Sequence, residues 1–146
     1  FHEPCDVNAL ATAALYHDAS EILTGDLPTP IKYHNAEIMS AYHAVEDLAV
    51  QKLLGMLPPE LRATYADVLA EDKGGDIYPL VKAADKLSAY IKCIEERKAG
   101  NNEFLSAEAQ TRAALEASPL PEVQYFLEHF IPAFERDLDE LGAIGQ

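Results

Sequence analysis

Several features common in proteins are scarce or missing from this 146-residue sequence. It has no tryptophan and two cysteines, and its 25 acidic residues outnumber the 11 basic ones to give a formal net charge of −14. This acidic excess argues against a nucleic-acid polymer or an anionic membrane as partner, because both need clustered positive charge. A small anionic substrate is still compatible, since it needs only local cations or a metal ion.

The cysteines and the hydrophobic runs bear on the cellular location of the protein. Cys5 and Cys93 lie far apart and form no Cys-x-x-Cys motif, so a reduced, cytosolic protein is the default expectation. No apolar run approaches the roughly 18 residues of a membrane span, and no secretory signal pattern is present. The sequence therefore predicts a cytoplasmic protein with no membrane partner.

The composition and the helix-start and helix-stop residues predict an all-α fold. With 49% hydrophobic and 25% charged residues, the chain has an ordinary globular composition, and we expect one compact helical domain over 1–146. No convincing strand pattern is present. Caps and breakers predict about six helices: from Asp6 or Asn8 to Gly25, over 35–54, from Pro59 to the break at 73–75, from Asp76 or Ile77 to Ala99, over 103–117, and over 121–141. Pro132 is expected to kink the last of these helices.

The most informative segment runs from Tyr16 to Pro30 and reads YHDASEILTGDLPTP. On the predicted helix, His17, Asp18 and Glu21 fall within one arc of about 100°, with His17 and Glu21 stacked four residues apart. The rest of that helix is apolar nearly all round, which predicts burial. Ionisable groups are costly to bury unless they are paired or bind a metal, so the segment favours a metal or acid/base site.

The donor atoms suit a divalent cation, because imidazole nitrogen and carboxylate oxygen together bind Zn, Mn, Fe or Co. Glu21 could then act as a base rather than as a ligand. The plainer alternative, a hydrogen-bonded His17 beside a capping or solvated Asp18, is left open by the spacing. After the helix, two prolines stiffen 25–30, and Asp26 and Thr29 could recognise a substrate there. Asp26 could equally form a simple Asx turn.

The same segment resembles the HD-domain metal phosphohydrolases, and within them the bacterial YfbR-type 5′-deoxynucleotidases. Residues 82–93 (KAADKLSAYIKC) and 99–105 (AGNNEFL) are also similar to that family, and the likeness covers essentially the whole chain in order. The resemblance implies an HD domain that is N-terminally incomplete here. It places a further His ligand and a phosphate-orienting Arg upstream of Phe1, and we do not transfer that ligand role to His2.

The resemblance also implies an activity and a site. Family members remove the 5′-phosphate from deoxyribonucleoside monophosphates with one divalent ion, commonly cobalt or manganese, and usually form homodimers. The roles that transfer residue by residue are these: His17, Asp18 and Asp85 as metal ligands, Glu21 as the catalytic carboxylate, and Asp18, Asp26, Leu27, Pro28, Thr29 and Asp85 as substrate-binding residues.

The residue pattern alone does not select Asp85. The apolar stripe of its helix runs through Leu80, Ala84, Leu87, Ile91 and Ile94. Asp85 points away from that stripe, as a solvated aspartate would. The Phe126, Phe130 and Phe134 series, spaced by four, is typical of a core or dimer contact.

Two other functions remain as alternatives. One is another HD-domain phosphohydrolase that acts on triphosphates or on guanosine tetraphosphate. The hydrolases of the latter carry a Glu-Asp pair after His-Asp, and Ser20-Glu21 or Glu21-Ile22 departs from it. The other is a non-catalytic helical binding or dimerisation module.

Overall fold

The computed structural model describes residues 5–27, 35–69, 75–137 and 139–140, and every regular element within these ranges is a helix. The helices are α1 (Val7–Tyr16), α2 (Glu21–Thr24), α3 (Ala36–Met56), α4 (Pro59–Leu69), α5 (Tyr78–Lys98), α6 (Leu105–Glu116), α7 (Pro121–His129) and α8 (Ile131–Glu135). Six of them have nine residues or more, and α2 and α8 are short. The all-α prediction is confirmed.

Several helix starts follow directly from the capping residues. Asp6 caps α1, since its carboxylate accepts hydrogen bonds from the amides of Asn8 and Ala9, both at 3.0 Å. Asn35 caps α3 through the amide of Ile38 at 2.8 Å. Pro59 opens α4, where the missing N–H costs nothing because the first helical amides have no partner within the helix.

The predicted first helix is wrong beyond Tyr16. The chain leaves α1 there, turns through 17–20, and resumes as α2. In the turn, the amides of Ala19 and Glu21 donate to carbonyls three residues earlier, those of Tyr16 and Asp18, at 2.9 Å each. These tighter bonds rotate the chain away from the α-helical register without a glycine or a proline to announce the change.

Two further helix ends differ from the prediction. Helix α3 runs through Gly55 and ends at Met56, because Pro58 rather than the glycine stops it. The predicted last helix divides at Phe130 into α7 and α8. Pro132 has no amide to donate to a carbonyl four residues earlier, so the kink expected there is confirmed as a break. The predicted end near Leu141 lies outside the described residues.

Contacts divide the chain into two compact units, Cys5–Val81 and a second formed mainly by Lys82–Gln146. In the first unit α2 and α4 pack against α3, and α1 packs against α4. Ala49 and Val81 are its fully buried apolar side chains among the described residues. The single domain over 1–146 stays a prediction.

The second unit has the larger core. Leu87, Tyr90 and Ile94 of α5 pack with Leu115, Val123 and Ile131 from the three following helices. The predicted stripe is right for Leu87 and Ile94, but Ala84 is exposed and Tyr90 is buried instead. Arg112 hydrogen-bonds the Tyr90 phenol, which makes this burial tolerable, and burial raises the pKa of Tyr90.

An arginine on α5 joins three helices of the second unit. Arg97 donates from Nε to both carboxylate oxygens of Glu108, at 3.1 and 3.0 Å, and from Nη2 to those of Glu135, at 2.9 and 2.7 Å. Hydrogen bonds to Glu108 and Glu135 raise the pKa of Arg97 above its usual range. The neighbouring Lys98 donates to the carbonyl of Phe134 at 2.8 Å. Helices α5, α6 and α8 are thereby fixed to one another.

Across the described part of the chain, no helix combines the length and hydrophobicity that crossing a bilayer requires.

Candidate functional site

His17 lies directly after α1, and one hydrogen bond sets its chemistry. Its Nδ1 is 2.8 Å from the carbonyl oxygen of Ala14. A carbonyl can only accept a hydrogen bond, so Nδ1 carries the proton and donates it. In the neutral imidazole the lone pair is then on Nε2, the form that a histidine needs to bind a metal. The side chain is 15% exposed, so its orientation is held by its surroundings.

Asp18 brings a carboxylate to that lone pair. Its Oδ2 is 3.1 Å from His17 Nε2, and its side chain is 55% exposed. Two lone-pair donors facing each other at this distance suit a shared cation. The mixed nitrogen and oxygen set fits a divalent ion such as cobalt or manganese. The sequence prediction of a His-Asp pair with metal-binding chemistry therefore has a local geometry that fits it.

Glu21 does not stack above His17 on one continuous helix, as the sequence pattern predicted. The turn at 17–20 separates them, and Glu21 becomes the first residue of α2, where it is half-buried. A carboxylate in the first turn of a helix is favoured by the helix dipole. Ser20 comes just before Glu21 in the chain. Among the described residues it is the one polar residue that is buried, at 8% exposure.

The start of the loop after α2 is held by hydrogen bonds from two hydroxyls. Gly25 has a φ of 72°, a conformation that favours glycine. Its carbonyl accepts from the Thr24 hydroxyl at 3.0 Å and from the Tyr42 hydroxyl of α3 at 3.2 Å. Asp26 follows with an exposed side chain and Leu27 with a half-buried one. Pro28 and Thr29, the other predicted substrate contacts, lie outside the described residues.

Asp85 lies on α5 in the second unit, and its side chain is exposed. Four residues earlier on the same helix is Val81, which is buried in the first unit at 3% exposure. Residues four apart share a helix face. Asp85 is therefore one turn beyond Val81 along α5, on the same side of that helix.

The first unit also contains a cavity of about 410 Å³ that the sequence analysis did not identify. Its wall includes Thr12, Tyr16 and His17 from the end of α1, Asp67 from α4, and Tyr78 and Val81 from α5. Tyr16 meets Tyr65 edge to face, with ring centroids 6.2 Å apart. The residues come from three distant segments, so no local spacing could have grouped them.

The expectation that α1 is buried is wrong. No residue of α1 is fully buried, and Leu15 is 78% exposed. Helix α1 rests on α4 on one side and lines the open cavity on another, so a single neighbour cannot cover its whole apolar circumference. The burial argument applies to the His17 side chain, and it does not apply to the helix before it.

Comparison with known proteins finds one consistent family. The sequence model of the family described as 5′-deoxynucleotidase YfbR-like matches residues 1–134. The 5′-deoxynucleotidases YfbR of Shigella flexneri and of Escherichia coli strain K12 are each 52% identical over 140 residues, covering 94% of this chain and 70% of the relative.

A solved structure agrees with the sequence relatives. The crystal structure of an HD-domain phosphohydrolase from Listeria innocua matches with a TM-score of 0.74 and 26% identity. The match covers 90% of this chain and 65% of that protein, so the chain spans just under two thirds of its structural relative.

Proposed function

The chain belongs to the YfbR-like 5′-deoxynucleotidase family, and from this premise we propose that it acts as a metal-dependent phosphohydrolase. The reaction is removal of the 5′-phosphate from deoxyribonucleoside 5′-monophosphates. The observation that carries the proposal is the His17 side chain, whose Nδ1 donates to the Ala14 carbonyl and whose Nε2 lies 3.1 Å from the Asp18 carboxylate.

The proposed metal ligands are His17, Asp18 and Asp85. Together they offer one imidazole nitrogen and two carboxylate oxygens, a set that could hold one metal ion. The similarity of residues 82–93 to the family supports the inclusion of Asp85. The resemblance adds a further histidine, which we assign to no residue of this chain. Cobalt and manganese are the ions to test first.

A divalent cation held there would supply Lewis acidity, which lowers the pKa of water and offsets the charge of the phosphate. Glu21 is proposed to move the proton. In the reaction, a water oxygen forms a bond to phosphorus as the bond from phosphorus to the 5′ oxygen breaks, and the leaving oxygen gains a proton. A half-buried carboxylate in the first turn of α2 can accept a proton from water and return it to that oxygen.

Substrate contacts are proposed for the loop after α2 and for two of the metal-binding residues. Asp18 and Asp85 would adjoin the substrate phosphate through the shared ion. Asp26, Leu27, Pro28 and Thr29 would contact the nucleoside. An ionised Asp26 only accepts hydrogen bonds, so it suits a sugar hydroxyl. The anchoring of Gly25 by Thr24 and Tyr42 supports this assignment, because it fixes where the loop begins.

Two further features of the family are proposed for this chain. The first is a homodimer, and the second is a cytoplasmic location. Both cysteines are free thiols, which is the state that a reducing compartment maintains.

The decisive experiment measures phosphate release from matched deoxyribo- and ribonucleoside monophosphates with cobalt or manganese added. We expect release from the deoxyribonucleotides and little from the ribonucleotides. Glu21→Gln should lower the rate by about 10² to 10⁴, the usual contribution of a general acid or base, and should leave metal binding unchanged. Glu60→Gln, the same change in the first turn of α4, is the matched control.

The other outcomes discriminate between the alternatives. Release from triphosphates or guanosine tetraphosphate, with none from any monophosphate, would replace the substrate class. Bound metal without any phosphate release from either class would favour a non-catalytic module.

A further inference from the structure

Tyr42 of α3 holds the start of the loop that follows α2. Its hydroxyl donates a hydrogen bond to the carbonyl oxygen of Gly25, 17 residues earlier in the chain, at 3.2 Å. The tyrosine is half-buried, and α2 packs against α3. The bond therefore ties the loop to a 21-residue helix whose place is already set by packing.

Hydrogen bonds, rather than packing, restrict Gly25. Among the described residues, no atom beyond its chain neighbours lies within 4 Å of the position that a Cβ would take there. Its φ of 72° and ψ of 162° belong to a region that glycine enters and leaves easily. Its amide donates to the Glu21 carbonyl at 2.9 Å, and its carbonyl accepts from the hydroxyls of Thr24 and Tyr42.

The bond from Tyr42 fixes something that the bond from Thr24 does not. Thr24 is the residue before Gly25 and moves with it, so its hydroxyl does not relate the loop to another helix. Tyr42 does so, because it belongs to α3. The peptide group is planar, so fixing the carbonyl oxygen of Gly25 also fixes the direction of the next amide, that of Asp26. The Asp26 side chain is exposed and therefore accessible to a ligand.

We propose that Tyr42 is a positioning residue for substrate binding: by holding the Gly25 carbonyl, it directs the Asp26 carboxylate at the sugar of the nucleotide. The inference rests on the proposed function and adds a residue to it. A 2′-deoxyribonucleoside 5′-monophosphate has one free sugar hydroxyl, on C3′. An ionised carboxylate accepts the hydrogen bond that this hydroxyl donates. Tyr42 acts through the loop and does not itself contact the substrate.

This role predicts an effect on KM rather than on kcat. A loop already held in its binding geometry loses less conformational freedom when the substrate binds. The C3′ hydroxyl takes no part in cleavage of the phosphate ester, so its contact stabilises the bound substrate and the transition state alike. Losing such a contact raises KM and leaves kcat unchanged. The loss of one neutral hydrogen bond corresponds to about three- to tenfold in KM.

The test compares Tyr42→Phe with the original chain on two nucleotides of the same base, a 2′-deoxyribonucleoside and a 2′,3′-dideoxyribonucleoside 5′-monophosphate. Phenylalanine keeps the ring and removes only the hydroxyl. KM for the deoxynucleotide should rise about three- to tenfold. KM for the dideoxynucleotide, which offers Asp26 no hydroxyl, should change by less than about twofold. Tyr65→Phe, the same change at a half-buried tyrosine of α4, is the matched control and should alter neither KM.

A double-mutant cycle tests whether Tyr42 acts through Asp26. Asp26→Ala alone should raise KM for the deoxynucleotide. Adding Tyr42→Phe to Asp26→Ala should raise it no further, since two residues that act through one contact are not additive. Additive effects would overturn the proposal, because Tyr42 would then act by another route.

Calorimetric titration of the same two nucleotides in a Glu21→Gln background, where cleavage is suppressed, separates this inference from the proposed function. If the original chain binds the deoxynucleotide without cleaving it, the proposed function fails. A rise of about three- to tenfold in Kd on Tyr42→Phe would still support the inference.

Three other outcomes would count against the role of Tyr42. A Tyr42→Phe variant that matches an active original chain in KM and Kd would overturn the inference alone. Equal increases for both nucleotides, or a lower kcat, would also overturn it, since they would show a general loosening of α2 and its Glu21. A chain that binds neither nucleotide would overturn the inference together with the proposed function.

Discussion

At the scale of single residues, the hydrogen bond from His17 to the Ala14 carbonyl determines what the histidine can do. It places a proton on Nδ1 from within α1, so in the neutral imidazole the lone pair is on Nε2, as the proposed metal-binding role requires. Sequence spacing identified the His17 and Asp18 pair, because adjacent donor residues can bind one ion. Sequence spacing could not identify the tautomer, because that depends on where α1 ends and on which backbone carbonyl then accepts a hydrogen bond from His17.

Replacing one proposed ligand tests the metal assignment directly. A metal at about 100 times its Kd stabilises a protein by ~2.7 kcal/mol, or about 5–10 °C in Tm for a domain of this size. We expect cobalt or manganese to raise the Tm of the original chain by an amount in this range. In Asp18→Asn the increase should shrink by about half or more, because at least tenfold of the affinity is lost. Asp47→Asn, an exposed site on α3, should respond as the original chain does.

At the scale of helices, sequence signals located starts more reliably than ends. Asp6 and Asn35 start helices by accepting hydrogen bonds from helical amides, and Pro59 starts one because the amide it lacks would have no partner there. Each of these roles follows from the residue type, so the sequence reveals it directly. The turn at 17–20 has no such signal, since it depends on bonds between residues three apart in a segment free of glycine and proline. Asp85 likewise has no local signal in the sequence. The pattern of its own helix marks it as solvated, and only the resemblance to the family gives it a role.

The junction of α5, α6 and α8 should be sensitive to loss of Arg97. Arg97→Gln removes contacts to two carboxylates from different helices. We expect a clear fall in Tm and a larger loss of amide-exchange protection in α8 than in the other helices. Lys92→Gln breaks two ion pairs of an exposed lysine, with Glu95 and Glu96, both within α5, and should change Tm little. Thermal unfolding and amide hydrogen exchange provide the two readouts. Equal effects from the two variants would refute a special role for Arg97.

At the scale of the whole molecule, the net charge of −14 acts on substrate and metal in opposite directions. An anionic nucleotide is repelled at long range and a divalent cation is attracted. Salt screens both effects, as the Debye length falls from about 30 Å at 0.01 M to about 8 Å at 0.15 M. Over that range we expect kcat/KM for a nucleotide to rise about twofold or more at saturating metal, while metal affinity falls.

Titrations of each ligand at several sodium chloride concentrations separate the two effects. A kcat/KM that falls with salt would mean that cations near the site outweigh the charge of the whole molecule. A comparison in potassium chloride distinguishes screening from specific ion binding.

The glycines at the helix ends have a consequence for how this sequence can change over time. Gly25 and Gly100 hold φ values of 72° and 87°, whereas Gly55 has ordinary helical geometry with open space around its α-carbon. Any side chain at the first two positions strains the backbone, and alanine at the third would strengthen α3. Among variants selected for folding, substitutions should therefore accumulate at position 55 and be purged at 25 and 100. The evolutionary freedom of a glycine here is determined by one backbone angle, and the packing around it has little part.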